Sequence, residues 1–181
     1  VNGTFFNVTV NKLFDNDEVV SYLIKTTDLT QMALKLDELH LKESQYKFIT
    51  DNLIDVLWIH SVGGGFEFVS KSIFRQRGFE VEEYAKMTLD EIMLPDDVTI
   101  AKNIFNTKGF LKYSPDNPLT YLAQYYIKDG GIMIGESITF PIIENNKPVQ
   151  IFGITRDVTE RIRQLRKIQE QKSELETILD N

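Results

Sequence analysis

The 181-residue chain contains no cysteine. That removes disulfides, thiolate metal sites, cysteine nucleophiles and thiol-linked cofactors at once. Histidine is nearly as scarce: only His40 and His60 are present, too few for a metal cluster built on imidazole. Positive charge is in deficit, with 20 Lys and Arg against 27 Asp and Glu, a formal net charge of −7. A nucleic-acid-binding face needs a basic stripe, so nucleic acid is not an expected partner. No apolar run approaches the ~18 residues that span a bilayer, and no signal-peptide pattern is visible. The expectation is a cytoplasmic segment without direct membrane contact, whose parent protein can still be anchored elsewhere. What is present, 42% hydrophobic and 26% charged residues, is the composition of a folded globular protein. The length allows one domain with extensions, or two small ones.

A weak internal repeat organises the chain. The stretch "GITRDVTERIRQLRKI" (153–168) runs from a β-branched segment through Asp157 and Thr159 into a charged helix, with almost no turn residues between. "IKTTDLTQMALKLDEL" (24–39) has the same plan around Asp28 and Thr30. The offset is 157 − 28 = 129. It also lays "LFDNDEVV" (13–20) on "IIENNKPV" (142–149), Leu36 and Leu39 on Leu165 and Ile168, and Ser44, Ile49, Asp51 and Asn52 on Ser173, Ile178, Asp180 and Asn181. A tandem array with a period near 129 accounts for this; chance likeness between two hairpin-plus-helix segments is the plainer alternative. On the array reading, residues 1–27 are the C-terminal hairpin of a preceding unit and 28–43 a linker helix. Residues 44–158 are then one complete unit, and 159–181 a helix leading to a further one.

Periodicity assigns the elements. Leu29, Met32, Leu36, Leu39, Tyr46, Ile49 and Leu53 recur with helical spacing over 28–52, with a break expected near Lys42–Ser44. "DVLWIHS" (55–61) and "FEFVS" (66–70) read as short strands around Gly63, Gly64 and Gly65. Short helices follow through Lys71–Glu91, and Pro95, Asp96 and Asp97 open a longer one. "LTYLAQYYI" (119–127), "IMIGESITFPII" (132–143) and "PVQIFGITRDV" (148–158) form a meander turning at Asp129-Gly130 and Asn145-Asn146. The fold class is α+β, a five-stranded antiparallel sheet with helices on one face.

This order of elements resembles the PAS sensory-domain family. The resemblance is carried by "FEFVSKSIFRQRGFEVEEYAKMTLDEIMLPDDV" (66–98), "YYIKDGGIMIGESITFPIIENNKPVQIFGITRDVTER" (125–161) and the entering helix at Ser44–Asn52. Its most specific pieces are Leu94-Pro95-Asp96-Asp97, Lys128-Asp129-Gly130 and Asp157-x-Thr159. Ser70, where many members carry Asn, and the doubled Gly130-Gly131 are departures that leave the fold expectation unchanged. The resemblance implies a sensory module of a multi-domain signalling protein, relaying its state to a downstream effector of histidine kinase or diguanylate cyclase type. It also implies adjacent PAS units and a homodimer through the linker helices, with no catalysis in the segment. A ligand-free dimerisation or spacer module is the alternative.

Two joints carry the expected relay. Asp157 with Glu160, and Asp28 with Gln31, have capping-box spacing, which lets a helix start where a strand stops. Beyond Thr159, the stripe Val158, Leu165, Lys172, Leu179 and Arg161, Ile168, Leu175 has heptad spacing, an expected parallel coiled coil. A monomeric amphipathic helix lying on its own domain would show the same stripe.

Family members often hold a small molecule between the sheet and the helices. By resemblance, the lining candidates are Trp58, Phe68, Phe74, Ile104, Phe105, Tyr121, Tyr125 and Ile138, with Gln124 and Tyr126 as polar contacts. The same aromatics would serve equally as core. The cofactor is unknown. A cysteinyl-flavin adduct is excluded for want of a thiol, and histidine-ligated haem is disfavoured because the long helix has no histidine. A non-covalent small molecule stays open. His60, at a strand end, reads as a surface residue, and His40 lacks the surroundings of a phospho-accepting histidine. No metal site and no catalytic constellation can be nominated.

Overall fold

The computed structural model describes residues 3–15, 17–106 and 108–179. The chain divides into two compact units, meeting between Ile49 and Thr50. In the first, β1 (Phe6–Asp15) and β2 (Glu18–Asp28) form an isolated antiparallel hairpin, followed by α1 (Thr30–Asn52), most of which belongs to this unit. Every described hairpin residue is exposed.

In the second unit, β3 (Val56–Ser61) and β4 (Phe66–Val69) lead into four short helices. These are α2 (Ser72–Arg77), α3 (Val81–Tyr84), α4 (Leu89–Ile92) and α5 (Pro95–Asn106). A 3-10 turn at Lys108–Lys112 precedes β5 (Leu119–Tyr126), β6 (Ile132–Glu144), β7 (Lys147–Asp157) and α6 (Thr159–Leu179). The five strands are ordered β4-β3-β7-β6-β5, all antiparallel, so the last hairpin lies at the centre of the sheet.

Strand alternation decides which side chains meet the helices. On β6 the odd-numbered residues, from Met133 to Pro141, are buried, and on β5 Ala123 and Tyr125 are. Met133, Ala123 and Tyr125 share one core cluster with Ile73, Tyr84, Ile92, Met93, Val98 and Phe110 from the helical layer. Two glycines permit the closest approaches. A Cβ on Gly153 would lie 2.1 Å from the Trp58 indole, and one on Gly135 would lie 2.6 Å from the Tyr125 ring. Both rings therefore lie directly on the sheet backbone. The Ser70 hydroxyl accepts the Leu57 amide at 2.9 Å and lies 2.6 Å from the Ser72 hydroxyl, fastening the end of β4 to the start of β3.

The two hairpins share one backbone design. Phe6↔Asp28 on β1–β2 matches Gly135↔Asp157 on β6–β7, Val10↔Ile24 matches Thr139↔Gly153, and Asp15↔Glu18 matches Glu144↔Lys147, each pair offset by 129 (135 − 6, 157 − 28). The register slips at the same step, between Leu13 and Phe14 and between Ile142 and Ile143. The turns match as well: Asp17 has φ 66° and Asn146 has φ 61°.

Two expectations are corrected. No break occurs near Lys42–Ser44; α1 is continuous, because Lys42, Glu43 and Gln45 are good helix formers and no Gly or Pro interrupts them. The joints at Asp28 and Asp157 are not capping boxes. Each aspartate accepts the amide two residues on, Thr30 at 2.9 Å and Thr159 at 2.8 Å, while Glu160 accepts from Gln164 instead. A capping box does occur at Thr88–Glu91, where the carboxylate takes the Thr88 amide at 2.8 Å. Of the repeat matches, Asp180 and Asn181 lie outside the described residues.

Candidate functional site

Between the inner sheet face and α2–α5 lies a cavity of about 30 Å³. Its sheet side is built by Trp58 and His60 from β3, Phe66 from β4, Tyr121 and Tyr125 from β5, and Thr155 from β7. The helical side brings Arg77, Tyr84, Leu89, Ile92, Met93 and Phe105. The sheet wall thus carries hydroxyls, and the helical wall is apolar apart from Arg77 and Tyr84.

The hydroxyls form a buried chain. Trp58 Nε1 donates to Thr155 Oγ1 at 3.0 Å, Thr155 lies 2.9 Å from the Ser137 hydroxyl, and Ser137 lies 2.8 Å from that of Tyr125. Tyr121 joins by hydrogen bonds to Ser137 and Tyr125. Burial, with Tyr125 adding to it, holds the Tyr121 phenol well above its ordinary range. Burial likewise pushes Tyr84 up to about 12, against the opposing pull of the Arg77 cation. Both phenols stay protonated at neutral pH.

Arg77 stands out on the helical wall. Its guanidinium donates to the Tyr84 hydroxyl and stacks on Tyr125, with Cζ 3.8 Å from the ring centroid. Sequence reading missed it, because a charged residue on a short helix reads as solvated. The available signal was spacing: Ile73 and Arg77, four apart, share the buried face of α2. His60 is half-buried on the cavity wall and not a surface residue. Its Nδ1 lies 2.8 Å from the Ser61 carbonyl, which only accepts, so the proton is on Nδ1.

Of the lining residues expected from sequence, Trp58, Phe105, Tyr121 and Tyr125 meet at the cavity. Others do not. Phe68 pairs with Ile59, but a bulge next to Ile59 places two β4 residues against one of β3, so Phe66 faces inward and Phe68 is exposed. Phe74 lies off the Ile73–Arg77 face of α2 and is also exposed. Ile138, Gln124 and Tyr126 are on the outward parity of their strands, away from the cavity. Gln124 instead gives its backbone amide to Asp97 at 3.0 Å, tying β5 to α5. The Ile104 side chain lies outside the described residues.

The strand-to-helix joint is more tightly built than its sequence suggests. The Ile134 amide donates to the Thr159 hydroxyl at 2.8 Å, and the Ile134 carbonyl accepts the Val158 amide at 2.9 Å. Ile134 belongs to β6, the strand that also supplies Ser137 to the buried hydroxyl chain. The first unit repeats the clamp: the Phe5 amide donates to the Thr30 hydroxyl at 3.0 Å, and its carbonyl accepts Leu29 at 2.8 Å. Along α6, Leu165, Ile168 and Leu175 are exposed on one stripe, and the Leu179 side chain lies outside the described residues.

No protein-family model and no curated relative matches the chain. Solved structures do. A PAS domain of an HTR-like protein from Haloarcula marismortui is similar at TM-score 0.58 and 17% identity, covering 69% of this chain and 98% of its own. A PAS domain from Colwellia psychrerythraea is similar at 0.54 and 22%, covering 65% and 97%. A sensory box histidine kinase/response regulator structure from Burkholderia thailandensis is similar at 0.55 and 18%, covering 74% and 98%. The chain therefore has a PAS-family fold, in agreement with the resemblance in its sequence. With no cysteine, it has no sulfur on which a cysteinyl-flavin adduct could form. Among the described residues, no helix is long and apolar enough to cross a membrane.

Proposed function

We propose that this chain is a non-enzymatic sensory and relay segment of a larger cytoplasmic signalling protein. The state of the cavity biases the position of β6, and the joint at Asp157, Thr159 and Glu160 passes that bias into α6. The observation that carries this reading is the double hydrogen bond between Ile134 and the start of α6, at 2.8 and 2.9 Å. The same strand touches the cavity network and the helix, so neither moves without the other. Such coupling needs two helix arrangements a few kcal/mol apart that the input favours unequally.

Leu165, Ile168 and Leu175 then pair with a second copy in a parallel coiled coil, for which their exposure along one helix stripe speaks. The downstream effector is of histidine kinase or diguanylate cyclase type; the presence of structures from sensory histidine kinases among the similar ones supports the former. The β1–β2 hairpin is the closing hairpin of another unit of the same kind, for which its shared register, turn and clamp with β6–β7 argue. Asp28 and Thr30 serve that unit as Asp157 and Thr159 serve this one.

A second reading, a ligand-free dimerisation or spacer module, is favoured by the small cavity, about 30 Å³. Native mass spectrometry of the chain, repeated after denaturation, separates the two. A dimer with a releasable adduct supports the sensor. An adduct-free dimer supports the spacer, and a clean monomer overturns the coiled coil in both.

A further inference from the structure

The heptad stripe of α6 has a counterpart on α1, and the two carry different charges. At the offset of 129, Leu36 and Leu39 stand where α6 has Leu165 and Ile168, all four exposed. Two seam positions differ: α1 has Met32 in place of Arg161 and Glu43 in place of Lys172. The flanks differ as well. In a parallel pair of helices, residues on either side of the seam meet across it. There α1 places Lys35, Lys42 and Lys47 and no acid, whereas α6 places Gln164, Gln169, Gln171 and Glu176.

Each helix therefore opposes its own counterpart. Two copies of α6 in register would face Arg161 with Arg161 and Lys172 with Lys172 in the seam. Two copies of α1 would face Glu43 with Glu43, and Lys42 with Lys47 along both edges. Like charges placed together in this way select against a partner. Set α1 against α6 in the same register and the conflicts disappear. Glu43 meets Lys172, Lys42 meets Glu176 and Met32 meets Arg161, while Leu36 with Leu165 and Leu39 with Ile168 keep the seam apolar. Within one chain, Lys42 holds Glu38 at 2.6 Å and Lys172 holds Glu176 at 3.8 Å. Both are exposed pairs one turn apart, of little worth, and leave the lysines able to turn to a partner helix.

We propose that α6 of one copy pairs, parallel and in equivalent register, with α1 of a second copy, joining Lys172 to Glu43 in the seam and Glu176 to Lys42 at its edge. The proposal rests on the coiled-coil reading of α6 and names the segment of the second copy that it meets. Charge, not the apolar stripe, makes the choice, since the stripe is common to both helices.

Because the chain has no cysteine, one introduced thiol reports one contact. Full chains carrying Leu39→Cys and Ile168→Cys are prepared separately, the second labelled with 15N so that the three possible dimers differ in mass. They are mixed, oxidised and weighed under denaturing conditions. The expected product is the dimer of intermediate mass, which joins the two different substituted positions, since facing seam residues approach within reach of a disulfide. In the cysteine-free chain, Glu43→Lys and Lys172→Glu should each raise the dimer dissociation constant roughly tenfold, read by sedimentation equilibrium, and the double variant should restore it to within about threefold. Dimers of only the light and the heavy mass show that each helix meets its own counterpart, which overturns the proposal and keeps the coiled coil. A double variant no tighter than the single ones overturns it too. No disulfide, with a monomer in the native mass spectrum, shows that the coiled-coil reading fails as well.

Discussion

The β1–β2 and β6–β7 hairpins have the same register, the same slipped step, the same left-handed turn residue and the same clamp onto the following helix. Yet both strands of one are exposed along their length and the other forms the centre of a five-stranded sheet. Backbone geometry at this level is therefore written locally, by turn residues, alternation and the Asp-x-Thr joint. Burial is supplied by other elements: β3 and β5 on the flanks and α2–α5 across the face. The inner faces differ accordingly. Where β6–β7 places Gly135 and Gly153 beneath aromatic rings, β1–β2 carries Phe6 and Ile24 at the same register positions.

The sharpest way to break this comparison is to place an alanine at equivalent positions. Gly153→Ala puts a Cβ into the Trp58 indole and should cost roughly 3 kcal/mol, at the upper end of overpacking effects. The matching change, Ile24→Ala, should stay within about 0.5 kcal/mol in the isolated chain, as exposed substitutions do. Urea unfolding followed by the fluorescence of Trp58, the sole tryptophan, reads the first, and backbone amide exchange in the hairpin reads the second. Equal costs would show that the hairpin is covered in solution.

The two clamps give a smaller contrast. Thr159→Val leaves the part-buried Ile134 amide without its acceptor and should cost about 1–2 kcal/mol. Thr30→Val does the same to the exposed Phe5 amide, where water substitutes, and should cost less than about 0.5 kcal/mol. Stability curves of the two variants, side by side, check the difference. If Thr159→Val proved silent, β6 and α6 would not be coupled as proposed.

The smallest effect is electrostatic. Hydrogen bonds from Thr30 hold the Asp28 carboxyl below the usual aspartate range. A lowered folded-state pKa means that the contribution is fully present above the ordinary aspartate value and is lost as pH falls through the folded value. Fraying at the start of α1 should therefore set in only under acid conditions. Asp28→Asn should remove that pH dependence while keeping an oxygen for the Thr30 amide. Amide shifts of Thr30 and Gln31 across the acid range would show it.

Much of this fold was legible because its signals are local. Asp129-Gly130, Asn145-Asn146 and the two Asp-x-Thr joints mark turns and helix starts by side-chain chemistry alone. The cavity was only half legible. Trp58, Phe105, Tyr121 and Tyr125 line it, whereas Ile138, Gln124 and Tyr126 lie on the outward parity, which alternation with Ser137, Thr139 and Ala123 could have decided. Phe68 could not have been placed this way, since a bulge reverses its facing and leaves no mark in composition. Arg77 left only its spacing from Ile73 as a mark, for another reason. Its burial depends on Tyr84 and Tyr125, which are brought beside it only by the assembled helices and sheet.

The clamp between Ile134 and Thr159 also has a mechanical meaning. At ~1.5 Å of rise per residue, the 21 residues of α6 make a rod about 31 Å long, held at one end. A tilt of about 5° at that end carries the far end through roughly 2.7 Å, about half of the ~5.4 Å pitch of one helical turn. A strand displacement that tilts α6 by this much would move its far end on the scale of a side chain.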